Sequence, residues 1–195
     1  MHMSTKLFTL VFLIVISLTT KAQTWDIDYA HSSINFSVNH FFTPVPGKFQ
    51  RFTGTLIFNP TNLSNTKIEF VADVASVNTG DVKRDNDLQS GNFFDAKKFP
   101  KMTFVSSKVE RKSEYQFVAY GIMTIRDVSK EIEVPFTVLG YGDHPIKKGS
   151  QILAIKSEFK INRNEYGVGS GSWVETAIVR DEVSVHVILE ATAKK

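Results

Sequence analysis

Apolar residues, many of them phenylalanine, alternate with polar ones at a period of two in segment after segment of this chain. The pattern shows in Ile34-Phe36-Val38, Leu56-Phe58, Ile68-Phe70-Ala72-Val74, Ile132-Val134-Phe136-Val138 and Val183-Val185-Val187-Leu189. Successive side chains of a β-strand point to opposite faces, so each segment presents one apolar and one wet face. Strands of this kind stack as two sheets or curl into one barrel, whose inward face can enclose a ligand.

The N-terminus follows a different rule. Lys6 precedes an unbroken apolar stretch, Leu7 to Leu18, that ends in Thr20-Lys21-Ala22. The stretch is short for a bilayer span and the end approximates a small-x-small cleavage site, so residues 1–22 are expected to be a secretory signal peptide. Residues 23–195 then form a single domain, exported to the periplasm or secreted. Lys6 and Lys21 fall in the leader, so 23 basic residues drop to 21 against 20 acidic ones, and the net charge from +3 to +1. With that balance and no basic cluster, nothing points to nucleic acid. The chain has no Cys, which excludes disulfides, thiolate metal sites and a lipid-modified cysteine.

The period predicts strands at 25–41, 50–59, 66–77, 101–110, 115–126, 130–141, 151–162 and 181–192. Turn signals lie between them at Pro44-Val45-Pro46-Gly47, Asn59-Pro60-Thr61-Asn62, Gly140-Tyr141-Gly142-Asp143 and Gly167 to Gly171. The alternation lapses over 78–100, where Asp81 to Leu88 reads as a short polar helix with Thr79 or Asp81 as N-cap. Roughly eight strands fit a sandwich or an up-and-down barrel. Strand length and the 16 Phe favour a barrel.

Several segments in order carry a resemblance. They begin with Trp25-Asp26-Ile27-Asp28-Tyr29-Ala30-His31-Ser32-Ser33-Ile34-Asn35-Phe36-Ser37-Val38-Asn39-His40, then Gly47-Lys48-Phe49 and Phe52-Thr53-Gly54-Thr55-Leu56. Ala75-Ser76-Val77-Asn78-Thr79-Gly80, Arg84-Asp85-Asn86-Asp87-Leu88-Gln89-Ser90, Phe93-Phe94-Asp95 and Lys98 to Phe104 continue the pattern. Ile161-Asn162-Arg163-Asn164-Glu165-Tyr166-Gly167 and Asp181-Glu182-Val183 complete it. Together they resemble the YceI-like family of polyisoprenoid-binding proteins. One turn departs from its pattern: Asp127 stands where the family has Gly, a place Asp can fill in left-handed backbone.

The resemblance implies an all-β, eight-stranded antiparallel lipocalin-like barrel with the short helix in the 78–100 connection. It implies a long amphipathic lipid inside, such as a polyprenyl phosphate, an isoprenoid quinone or a fatty acid or amide, with no enzymatic activity and no cofactor. Members are often described as dimers, and a homodimer is the assembly it suggests. On that reading Phe36, Val38, Phe58, Phe70, Met102, Phe104, Phe136 and Phe159 line the lumen. His40, by parity with Phe36 and Val38, points inward as a head-group donor at the mouth. Arg84 suits a pyrophosphate or quinone oxygen, since guanidinium makes bidentate contacts. Each polar residue also has a structural reading, His40 bonded to a neighbouring strand or loop and Arg84 as a tie from helix to barrel. Arg163 divides in the same way between tie and mouth contact, and His31 reads as structural. Asp85-Asn86-Asp87 lacks the Gly and distal Glu of a calcium loop, so no metal is expected. Gly167 to Gly171 lacks the strand-to-helix setting of a phosphate loop. The rivals are a barrel isomerase or hydrolase acting on a similar lipid, which requires a titratable pair in the cavity, and a structural or adhesive sandwich with a filled core, which has no cavity and carries no lipid.

Overall fold

The computed structural model describes residues 23–174 and 178–195, so the proposed leader lies outside the described residues. Among the described residues eleven strands form one antiparallel sheet: β1 (Thr24–Ile27), β2 (Ser33–His40), β3 (Thr43–Phe49), β4 (Phe52–Ile57), β5 (Lys67–Asp73), β6 (Val77–Asn78), β7 (Lys101–Arg111), β8 (Gln116–Ile125), β9 (Val128–Asp143), β10 (Ser150–Asn162) and β11 (Val179–Lys194). The long final strand closes the sheet. Its lower half pairs with β1, Asp26 opposite Thr192, and its upper half with β2, Val38 opposite Val183. Since β1 also pairs with β4, the ring runs β1-β4-β5-β7-β8-β9-β10-β11 and returns to β1. The expected eight-stranded antiparallel barrel is therefore the fold.

Two of its eight lines are interrupted. The continuous strand predicted at 25–41 breaks into β1 and β2 at Asp28, whose carboxylate accepts from the Ala30 amide at 2.9 Å and sits 2.9 Å from His31 Nδ1. The next line breaks between β3 and β4. Pro44 to Gly47, predicted as a turn, is strand, with Pro44 opposite Asn39 and Pro46 opposite Ser37. The reason is position. Over these residues β3 pairs on one side only, and an edge strand accepts proline where the missing N–H faces away from its neighbour. The real turn is Phe41-Phe42, with Phe41 at a φ of 53° and its amide donating to the Ile178 carbonyl at 2.7 Å.

The predicted short helix is α1 (Val82–Gln89), N-capped by Asp81, which accepts from the Arg84 amide at 2.8 Å. Thr79, the other candidate cap, instead donates its hydroxyl to Asp85 at 2.6 Å. Left-handed backbone in the β8–β9 turn falls on Arg126, at a φ of 56°, and not on Asp127. Arg126 is held there by its own side chain, which donates to the Phe93 carbonyl at 2.6 Å and the Gly167 carbonyl at 2.5 Å.

The core sits at the end of the barrel opposite α1. Trp25, Leu56, Phe58, Phe117, Phe136, Leu153 and Ala191 meet there, and the Trp25 indole donates to the Phe58 carbonyl at 2.8 Å. Phe58, Phe117 and Phe136 contact one another with ring centroids 5.3 to 5.6 Å apart, which closes the floor. No helix among the described residues is long and apolar enough to cross a membrane.

Candidate ligand-binding site

Above that floor the inward faces of the strands do not meet. Ile34, Phe36 and Val38 of β2, the paired Val187, Val185 and Val183 of the neighbouring β11, Phe159 and Ile161 of β10, and Met102 and Phe104 of β7 line a cavity of about 220 Å³. Strand pleating explains the wall: every second residue of each strand faces the lumen. Most of these side chains are only half-buried, because their inner surfaces border empty space.

The upper end is covered by irregular segments. Leu88 of α1, Phe93, Phe94 and Val168 complete the lining, and Phe93 packs on Trp173 with centroids 5.4 Å apart. Two arginines fasten this cap. Arg126 bridges the 93 and 167 carbonyls as described. Arg163, buried, donates to the carbonyls of Arg180 at 2.9 Å, Val168 at 2.8 Å, Val179 at 2.8 Å and Trp173. Burial lowers its pKa, and the Asp181 carboxylate opposes that shift. A guanidinium is the one side chain with enough fixed donors for four carbonyls.

The wall offers a ligand almost no polar atom. The Ser157 hydroxyl donates to the Pro135 carbonyl at 2.6 Å and the Asn35 amide to Ser33 at 2.8 Å, so both are committed to protein. Among the described residues Arg163 is the one titratable group in the lining. Beside the lining, Tyr166 is buried with its hydroxyl unpartnered, and burial raises its pKa. Outside the barrel, Asp28, His31 and Glu190 bring potential metal-ligand atoms within 4.8 Å of one another. His31 Nδ1 is already engaged by Asp28, in keeping with its structural reading, and lies 3.9 Å from Glu190.

Of the residues assigned to the lumen from sequence, Phe36, Val38, Phe70, Met102, Phe104, Phe136 and Phe159 lie on the cavity wall. Three do not. Phe58 has the right parity but is 0% exposed, packed into the floor. His40 is exposed, because β2 runs past the rim before it turns, and its ring packs on Phe41 with centroids 4.5 Å apart. Arg84 is exposed on α1 and donates to the Thr79 hydroxyl at 2.8 Å and its carbonyl at 2.9 Å, a tie between helix and preceding loop. Among the lining residues that sequence reasoning left out are the β11 valines, visible in the alternation, and the cap residues Leu88 and Val168, which no period marks.

A closed antiparallel barrel with an apolar lumen under a strapped cap is the class of protein these features define. The chain belongs to the YceI-like family, whose domain matches residues 25–191. A UPF0312 protein of Vibrio parahaemolyticus is 34% identical over 121 residues, 62% of this chain, and the chain spans only 64% of that relative's length. The crystal structure of Burkholderia cenocepacia BcnA superposes with a TM-score of 0.78 at 30% identity, covering 85% of this chain and 99% of that one. A polyisoprenoid binding domain from Saccharophagus degradans shares the fold at a TM-score of 0.62 and 16% identity, covering 89% and 99% of the two chains.

Proposed function

We propose that this protein is an exported lipid carrier that holds the chain of an isoprenoid or similar amphipathic lipid in its lumen, without catalysis. The observation that carries the reading is a wall of half-buried apolar side chains that presents almost no polar surface, with Ser157 and Asn35 committed to protein partners. Such a wall recognises a hydrocarbon chain by burying it, at about 0.8 kcal/mol per CH₂ before the cost of ordering the chain. The floor of Phe58, Phe117 and Phe136 requires the tail to enter first, leaving the head group at the capped end. The chemistry supports a carrier over the isomerase or hydrolase reading, because Arg163 is fully occupied in fastening the cap. Fold likeness to a domain described as polyisoprenoid-binding is consistent with this ligand class.

The cavity of about 220 Å³ is smaller than the roughly 300–1,000 Å³ of drug-sized ligand sites. A long chain therefore needs flexible wall side chains such as Met102 to turn, or the cap to lift. Export rests on the apolar run from Leu7 to Leu18. Organic extraction of the purified protein followed by mass spectrometry tests the carrier reading, and a stoichiometric long-chain lipid is the expected result. Failure of the delipidated protein to take up any prenol, quinone or fatty acid overturns it, and turnover of such a lipid favours the enzyme.

A further inference from the structure

Two aromatic rings of the wall lie across it instead of standing into the lumen. Phe36 on β2 is directly opposite Gly47 on β3, and Phe70 on β5 is directly opposite Gly54 on β4. In each pair the phenyl ring occupies the space that a side chain on the glycine would need. A Cβ on Gly47 would fall 2.3 Å from Phe36 Cζ and 2.8 Å from both Cε atoms. A Cβ on Gly54 would fall 2.5 Å from Phe70 Cε1 and 2.9 Å from Ile27 Cδ1. Ordinary van der Waals contact begins near 3.4 Å, so even a methyl group at either position displaces a ring.

Neither glycine has the positive φ that would call for glycine on backbone grounds. What calls for it is the ring. Both glycines also lie on the same interrupted line of the barrel, β3 and β4, so the two rings recess into the same side of the lumen. A displaced Phe36 ring has the β3 backbone behind it and Phe49 beside it, with centroids 5.6 Å apart. The open direction is the cavity.

We propose that the Phe36–Gly47 and Phe70–Gly54 pairs set the bore of the lumen, keeping it wide enough for a methyl-branched isoprenoid chain rather than only a straight one. This rests on the lipid-carrier reading and adds to it a determinant of chain shape. A straight polymethylene chain is narrower than a prenyl chain with its regular methyl branches. Narrowing the bore by one swung ring therefore penalises the branched chain more.

The test uses the whole protein, delipidated, with two probes: the straight-chain fluorophore cis-parinaric acid and the branched farnesol as its competitor. In Gly47→Ala and Gly54→Ala, farnesol affinity is expected to fall about tenfold or more, with parinaric acid within about threefold of the parent. Adding Phe36→Leu to Gly47→Ala is expected to restore farnesol, since the shorter side chain clears the new methyl, and Phe70→Leu with Ile27→Val is expected to do the same for Gly54→Ala, where Ile27 Cδ1 also stands 2.9 Å away. Unchanged farnesol affinity in both glycine variants overturns the proposal. So does an equal loss of both probes that the leucine substitutions do not rescue, because the glycines would then serve strand pairing alone. If the parent protein takes up neither probe, it is the carrier reading that fails. The bore is then judged by a crystal structure of Gly47→Ala: a Phe36 ring swung into the lumen supports it, and a ring still against the wall overturns it. Should Gly47→Ala fail to fold, the same structure of Gly54→Ala decides through Phe70.

Discussion

The two ends of this barrel are built from the same residue types on the same strands, yet one is solid and the other hollow. At the floor, Phe58, Phe117 and Phe136 pack ring against ring beneath Leu56 and Leu153. Further up, Phe36, Phe70 and Phe159 share the inward parity but border a cavity. The difference lies in what stands across the barrel. The lower half is a complete ring of strands, whereas in the upper half β3 and β5 are not paired, and α1 with its neighbouring loops spans the gap without filling it. Inward alternation fixes direction. Closure of the ring decides whether that direction ends in another side chain.

The largest expected effect separates the two ends by their stability. Phe58→Ala leaves a cavity inside a packed cluster and is expected to cost about 3–5 kcal/mol. Phe159→Ala enlarges a space that already exists and is expected to cost about 1 kcal/mol. Urea unfolding of the two variants measures the gap, and equal costs would show that the upper half is as tightly packed as the floor.

The cap should respond next. Arg163→Met keeps much of the aliphatic stem but leaves the carbonyls of Val168, Trp173, Val179 and Arg180 without their donors. A loss of about 2–4 kcal/mol is expected, since each unsatisfied buried carbonyl is costly while removal of a buried charge gives part of that back. Amide hydrogen exchange should quicken in residues 163–174 and stay slow at Phe117 and Phe136. Exchange that rises equally at both ends would mean that Arg163 supports the barrel as a whole.

These contrasts also explain which parts of the molecule could be read before it was seen folded. Alternation located the barrel lines because period two follows from strand geometry alone. It could not separate Phe58 from Phe36, which have the same parity and differ only in what they meet across the lumen. Pro44 and Pro46 read as a turn in the sequence because their local preference is for turns, whereas an unpaired strand edge is set by distant residues. His40 failed for a related reason: parity holds along β2, but the strand outruns the rim. Arg84 and Arg163 both lie outside the strands, and only the fold buries one and exposes the other. Leu88, Phe93, Phe94 and Val168 converge from segments with no period at all.

Tyr166 gives a smaller effect of the opposite sign. Its hydroxyl is buried without a partner, so Tyr166→Phe removes an unsatisfied donor and keeps the ring against Phe93, Ile125 and Val168. Stability is expected to be unchanged or to rise by about 1 kcal/mol, read from urea unfolding. A clear loss would mean that a water or ligand oxygen completes the hydroxyl, and would place a polar contact inside the cap.

The smallest effect belongs to the break between β1 and β2, where the hollow and solid halves of one barrel line join. The Asp28 carboxylate, hydrogen-bonded to His31, raises the imidazole pKa above its ordinary 6.5, with Glu190 adding to the shift. The same hydrogen bond, together with the Ala30 amide, lowers Asp28 below 3.8. A raised histidine stabilises fully below 6.5 and loses its contribution as pH rises through the folded value. A depressed aspartate stabilises fully above 3.8 and loses its contribution as pH falls through its folded value. The pair therefore supports the turn most between 3.8 and 6.5, and weakens in both directions outside that window. Both groups are solvated, so the change in overall stability is slight and NMR is the better probe. The His31 imidazole is expected to titrate above 6.5, and Asp28→Asn to bring it down, with Glu190→Gln moving it less. A His31 titration indifferent to Asp28→Asn would mean that the break is held by backbone geometry alone.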